Sequence, residues 1–156
     1  MQQKEISRII DSLNRVFDGA AWHGQSVMDV LEGISFKVAF APSDKIHCIC
    51  ELVQHMTAWR HFAIKKLQGD MVYEVSTKEN WKQFEKQDAA AWKEILEDLR
   101  SSQKALIDAL KVMDDEHLED EVDKKAYSYY TLIHGVIHHD LYHLGEIALL
   151  ARLNLD

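Results

Sequence analysis

The stretch HGVIHHDLYHLGEIALL, residues 134–150, decides how this chain is read. It gathers four of the chain's nine histidines, His134, His138, His139 and His143, into ten positions of a run that otherwise reads as a buried helix. Imidazoles on the core face of a helix lose their water, so their presence there calls for a reason.

Helical geometry separates the four. At about 100° per residue, His139 and His143 lie about 40° apart, one turn above the other, whereas His134 lies about 180° from His143. Only one i, i+4 pair can face the core. Leu132, His139, His143, Glu146 and Leu150 share a face with apolar ends, which makes His139, His143 and Glu146 the inward polar set. His134 and His138 fall toward the other side of the helix.

Working outward, the whole chain reads as helices. Ile6, Ile9, Ile10, Leu13, Val16 and Phe17 form a first apolar stripe that stops at Asp18-Gly19. A looser stretch over 19–42 follows, with a short helix at Val27 to Leu31. Ser43, after the only proline, is the expected N-cap of a second helix whose stripe includes Ile46, Ile49, Val53, Met56, Ala63 and Leu67 and ends near Gly69. Ser76-Thr77-Lys78-Glu79 resembles a capping box opening a long third helix. Its stripe runs through Trp81, Phe84, Ala91, Trp92, Ile95, Leu99, Leu106, Leu110 and Met113, with Asp88 as a polar interruption. The acidic stretch DDEHLEDEVDKK reads as a solvated connection, and the fourth helix spans about Ser128 to Leu153. No alternation of strand type and no repeat is present. The expected fold is all-α: one domain over 1–156, a four-helix bundle with 19–42 as a long crossover.

Composition narrows the functions. The net charge is −8, with 26 acids against 18 bases and no basic stripe, which argues against nucleic acid and against a polybasic membrane anchor. No apolar run approaches the roughly 18 residues of a membrane span, and the first residues do not form a signal peptide. Cys48 and Cys50, two apart on the expected second helix, face away from each other, which argues against a disulfide and fits a reducing cytoplasm.

Two imidazoles at i, i+4 can chelate one transition metal. Alone, that spacing is more often a polar pair satisfied within the fold. HHDLYH places Asp140 where a zincin helix has its catalytic Glu, but the pattern is H-D-x-x-H, and the mixed α/β context of zincins is missing. A third candidate lies in the second helix, in ICELVQHMTAW, where His55 sits among Leu52, Val53, Met56 and Trp59, with Glu51 one turn before it. A bundle can bring such a histidine against the pair, and three neutral imidazoles leave a coordination position open for water or substrate.

Three segments, ELVQHMTAW, AWHG near residue 22 and LIHGVIHHDLYHLGEIALLARL, together resemble the DinB-like superfamily, including its YfiT-type members, over essentially the whole chain. The resemblance implies a four-helix bundle with a long crossover. It also implies a divalent metal held by His55, His139 and His143. Zinc or nickel suits such a donor set, with iron, manganese or copper as further candidates. Where such proteins often carry Gln after HLG, this chain has Glu146, whose carboxylate is expected within reach of the metal or its water, as a fourth ligand or a general base.

The resemblance further implies a small-molecule enzyme: a transferase joining a low-molecular-weight thiol to an electrophile, or a thiol-dependent isomerase. A metal-bound water would instead run a hydrolysis. The other class is a non-catalytic metal-binding or stress-associated dimer. An open coordination position beside a cavity marks the first class and a closed four-ligand site the second.

Gly135 and Gly145 each cost roughly 1 kcal/mol inside a helix, which favours close approach by a neighbouring helix over tolerated surface glycine. Trp22-His23-Gly24 is read either as bordering the pocket or as a loop anchored by its Trp. Tyr129, Tyr130 and Tyr142 are expected to pack with their hydroxyls at the surface. A homodimer is expected because Met28, Val30, Phe36, Val38, Phe40, Trp81, Phe84 and Trp92 exceed what one bundle stripe covers, and because relatives are often dimeric.

Overall fold

The computed structural model describes residues 5–42, 46–123 and 125–154, and the expected cap Ser43 lies outside them. In chain order the helices are α1 Glu5–Asp18, α2 Val27–Glu32, α3 Phe36–Ala39, α4 Ile49–Leu67, α5 Thr77–Asn80, α6 Ala89–Lys111 and α7 Tyr129–Leu153. No strand occurs among the described residues beyond one isolated bridge between Glu121 and Ser128. The fold is all-α, as the periodicity requires.

The four long helices form a closed ring of neighbours: α4 packs on α6 and α7, and α1 packs on the same two. Each turns its apolar stripe inward, Ile6, Ile9, Leu13 and Phe17 on α1, for example, and Leu99, Leu106 and Leu110 on α6. The crossover folds back onto this ring, with α2 against α1 and α7 and α3 against α4 and α6. It thereby covers Met28, Phe40 and Trp92, and the Trp92 indole donates to the Ile34 carbonyl at 3.0 Å. The apolar residues that suggested a dimer are thus largely packed within the chain.

One buried cation ties the ring together. Arg60, 1 % exposed on α4, donates to Asp140 on α7 and to Gln103 on α6, and its guanidinium lies 4.9 Å from the Phe17 ring of α1. A charge in that position is tolerated because its partner is equally buried and hydrogen-bonded.

Helix ends follow local chemistry. The chain leaves α4 through Gly69 at φ 84°, where Asp70 N–H donates to Lys65 O at 2.9 Å and Gly69 N–H to Lys66 O at 3.0 Å, a left-handed glycine cap. The free N–H groups of Glu5 and Ile6 donate to the Asp115 carboxylate at 2.7 and 3.1 Å. The acidic connection is therefore pinned rather than merely solvated, and Leu118 and Val122 within it are buried.

Two expectations change. The capping box at Ser76 and Glu79 does form, but the helix it opens, α5, is a single turn. Asp88 is no interruption: its carboxylate accepts from Ala91 N–H at 2.8 Å and starts α6. Trp81 and Phe84 keep helical spacing yet pack as anchors of the intervening loop. Second, Cys48 is the extended N-cap of α4 rather than a helical residue, so the facing-away rule does not reach it. The Cys48 and Cys50 sulfurs lie 3.2 Å apart, and both are free.

Candidate metal centre

Three imidazoles converge between α4 and α7. His139 Nε2 lies 3.0 Å from His55 Nε2 and 3.2 Å from His143 Nε2, and the donor atoms of all three fall within 4.8 Å of one another. Tetrahedral coordination with Zn–N bonds of about 2.0–2.1 Å separates its nitrogens by about 3.3 Å, so the cluster has the spacing of a ligand set.

The outer nitrogens explain why the inner ones face each other. His143 Nδ1 donates to the Glu146 carboxylate at 2.6 Å. His55 Nδ1 donates to the Asn80 carbonyl at 3.2 Å. That carbonyl is free because α5 ends after one turn. Both contacts place the proton on Nδ1 and the lone pair on Nε2. A single N–H on His139 Nε2 can satisfy one of the two facing lone pairs but not both. A cation would satisfy all three.

Electrostatics agree. Burial, reinforced by the neighbouring histidines and Arg60, pushes His139 down to about 3. Burial also lowers His55, helped by the charges of His143 and His47. Near neutral pH these two rings are unprotonated, the form that binds metal. Trp81 holds His55 from the side: the rings stack with centroids 4.2 Å apart, and His47 stacks on the opposite face of Trp81 at 3.5 Å.

Beside the cluster lies a cavity of about 250 Å³ whose wall includes Trp59, Phe62, Leu132, Gly135, Val136 and His139. Trp59 belongs to both regions, with its ring 6.3 Å from those of His55 and His139 and its indole N–H donated to Asn80 Oδ1 at 2.9 Å.

The histidines read from the sequence are therefore brought together, and other expected residues are placed elsewhere. Glu146 meets His143 on the side away from the cluster. Glu51 turns back to the start of α4, where it accepts from Cys48 N–H at 3.1 Å and contacts His47. His134 and His138 stay outside the cluster. Trp22 is fully exposed and anchors nothing, and no residue of Trp22-His23-Gly24 lines the cavity. A Cβ at Gly135 or Gly145 would meet nothing within 4 Å, so neither glycine serves close helix approach. Tyr142 is exposed rather than packed, while the Tyr129 hydroxyl donates to Lys66 O. Sequence reasoning missed Asn80 and Trp81 because both lie in a segment read as continuous helix. It missed the Arg60–Asp140 pair although each charge interrupts an apolar run, a signal that was available.

A sequence model described as the DinB superfamily matches residues 21–147, a span that contains all three histidines and Glu146. The chain belongs to the DinB superfamily. No curated protein and no solved structure gives a significant match. Among the described residues, no helix is long and apolar enough to cross a membrane.

Proposed function

We propose that this chain is a metal-dependent transferase that joins a low-molecular-weight thiol to a small-molecule electrophile. The observation that carries the reading is a set of three imidazoles with no fourth protein ligand among the described residues, set against an apolar cavity. A closed four-ligand site would favour a non-catalytic role. Glu146, the one carboxylate expected to close it, is instead bonded to His143.

His55, His139 and His143 would hold the ion, with zinc or nickel favoured and iron, manganese or copper as further candidates. When bound, a divalent cation at this place stabilises a thiolate at neutral pH and polarises an electrophile. The protein's part is orientation. Glu146 and the Asn80 carbonyl fix the tautomers of His143 and His55, and Trp81 fixes the plane of His55. Trp59 and Phe62 shape the apolar space beside the cluster where a reacting group can sit.

Metal analysis of protein isolated without a His-tag tests the first half, with one divalent ion per chain expected. Thiol consumption with a panel of low-molecular-weight thiols and electrophiles tests the second half. Turnover should disappear on chelation and return on adding metal back. Equal consumption by loaded and stripped protein rejects the transferase.

A further inference from the structure

Gly135 sits exposed in the interior of α7, where glycine is roughly 1 kcal/mol worse than alanine, and no neighbouring helix needs its bare backbone. Its position has a different consequence. Gly135 lines the cavity beside His139, one turn before that histidine, and a side chain there would project into open space. The missing side chain keeps the cavity open.

The wall is mainly apolar, with the Tyr127 and Thr131 hydroxyls and the His139 ring as its polar groups. Trp59, Phe62, Leu132 and Val136 present rings and branched alkyl groups, and no charged side chain of the described residues lines the space. The cations near its edge are committed elsewhere. Lys125 lies 5.9 Å from the Phe62 ring but pairs with Glu74 at 2.7 Å. Lys66, buried and 5.1 Å from the same ring, donates to the carbonyls of Met71 and Tyr73 at 2.9 and 2.7 Å. A carboxylate or phosphate placed there would lose water and find no cationic side chain to offset its charge.

We infer that the cavity is the specificity pocket for the electrophile. It accepts an uncharged molecule bearing an aromatic or compact alkyl arm, packed between Trp59 and Phe62, with its reactive end directed to the histidine cluster, and Gly135 sets the size of that arm. The inference rests on the metal-centre reading. The volume fits: an apolar cavity of about 150 Å³ holds benzene, and this one measures about 250 Å³, enough for a substituted aryl group. The thiol, polar by nature, approaches from outside this pocket.

Two probes separate the inference from its premise. Cobalt-loaded full-length protein is titrated with imidazole and with 4-phenylimidazole, and binding is followed through the visible absorption of the ion. Both should bind at the open position, and the phenyl arm should strengthen binding roughly tenfold by leaving water for the pocket. Gly135→Leu should abolish that advantage while leaving imidazole affinity and cobalt content unchanged, and Gly135→Ala should give an intermediate loss. Leucine favours helix, so the fold is not put at risk. Thr131→Phe, from an exposed wall position one turn earlier, provides a second way of filling the space. Equal affinity for the two probes in the unsubstituted protein overturns the pocket, as does an advantage that survives both substitutions. A cobalt spectrum that ignores imidazole itself overturns the open metal centre, and the pocket assignment with it.

Discussion

Arg60 of α4 donates to Asp140 of α7 inside the helix ring, and each side chain is 1 % exposed. The pair lies next in sequence to His139 and five residues beyond His55, so it fixes the two helices that carry the cluster relative to each other. Burial raises Asp140, and the Arg60 charge and hydrogen bond oppose that rise. Removing one member leaves the other's charge buried without its counter-ion, at a cost of about 3–5 kcal/mol. Asp140→Ala should therefore lower chemical-denaturation stability by that order and weaken metal binding, although Asp140 is not itself in the cluster. Arg60→Met combined with Asp140→Leu should recover most of the stability. A double variant no more stable than the single one would show that the ion pair is not the cause.

The pair also marks where sequence reading ends. The long helices were legible because apolar residues recur every three to four positions, and the cluster was legible because His139 and His143 stand one turn apart on a face that apolar residues close. Arg60 and Asp140 each break such a stripe, but nothing in the spacing joins two charges 80 residues apart. Trp81 and Phe84 failed for the opposite reason. Their spacing fits a helix, yet tertiary stacking on His55 and His47 takes Trp81 out of one. Gly135 showed its helix cost in the sequence, but the open space that explains it is a property of two packed helices.

Asp88 offers a direct check of that corrected boundary. As the N-cap of α6 its carboxylate holds Ala91 N–H, and Asp88→Ala should cost about 1 kcal/mol in global stability. Were residues 76 to 113 one helix, the same change would be neutral or stabilising, since alanine favours helix interiors. Urea denaturation of the two proteins separates the cases.

Glu146 should act on metal affinity through His143. The 2.6 Å contact to Nδ1 keeps that proton away from Nε2 and increases the basicity of the ligating nitrogen. Glu146→Gln keeps an acceptor but removes the charge, and affinity should fall by about tenfold, the lower end of the range for such partners; Glu146→Ala should fall further. Competition against a chromogenic chelator measures both. Unchanged affinity in the alanine variant rejects the orienting role.

The depressed histidines make the metal-free protein sensitive to acid. His139 titrates at about 3 in the folded chain, against about 6.5 when unfolded, and burial is the chief cause. Between those values the unfolded chain binds the extra proton, so this group's contribution to stability rises with pH across the window and is lost as pH falls from about 6.5 toward 3. His55 acts in the same direction. His139→Gln should flatten part of that slope. The check is the difference in melting temperature between the two metal-free proteins at pH 7 and pH 4.5, which isolates the histidine from the many carboxylates. A difference independent of pH rejects it.

A homodimer, if this chain forms one, needs a face other than the crossover, whose apolar residues are largely covered. The exposed apolar side chains of α7 offer one: Tyr142, Leu149 and Leu153 are 68 %, 59 % and 66 % exposed. Steps of seven and four residues keep them within about 40° of one another around the helix, a single stripe. Ile46, 59 % exposed, lines the same shallow pocket as Leu153 and extends the patch. A two-fold axis beside α7 would pair this stripe with its own copy, the arrangement soluble homo-oligomers use most. Light scattering at micromolar concentration should then give twice the 18.1 kDa of one chain, and Leu149→Lys should return the mass to a single chain with metal content unchanged. A single-chain mass for the unsubstituted protein rejects the dimer, and a dimer that survives Leu149→Lys moves the interface off α7.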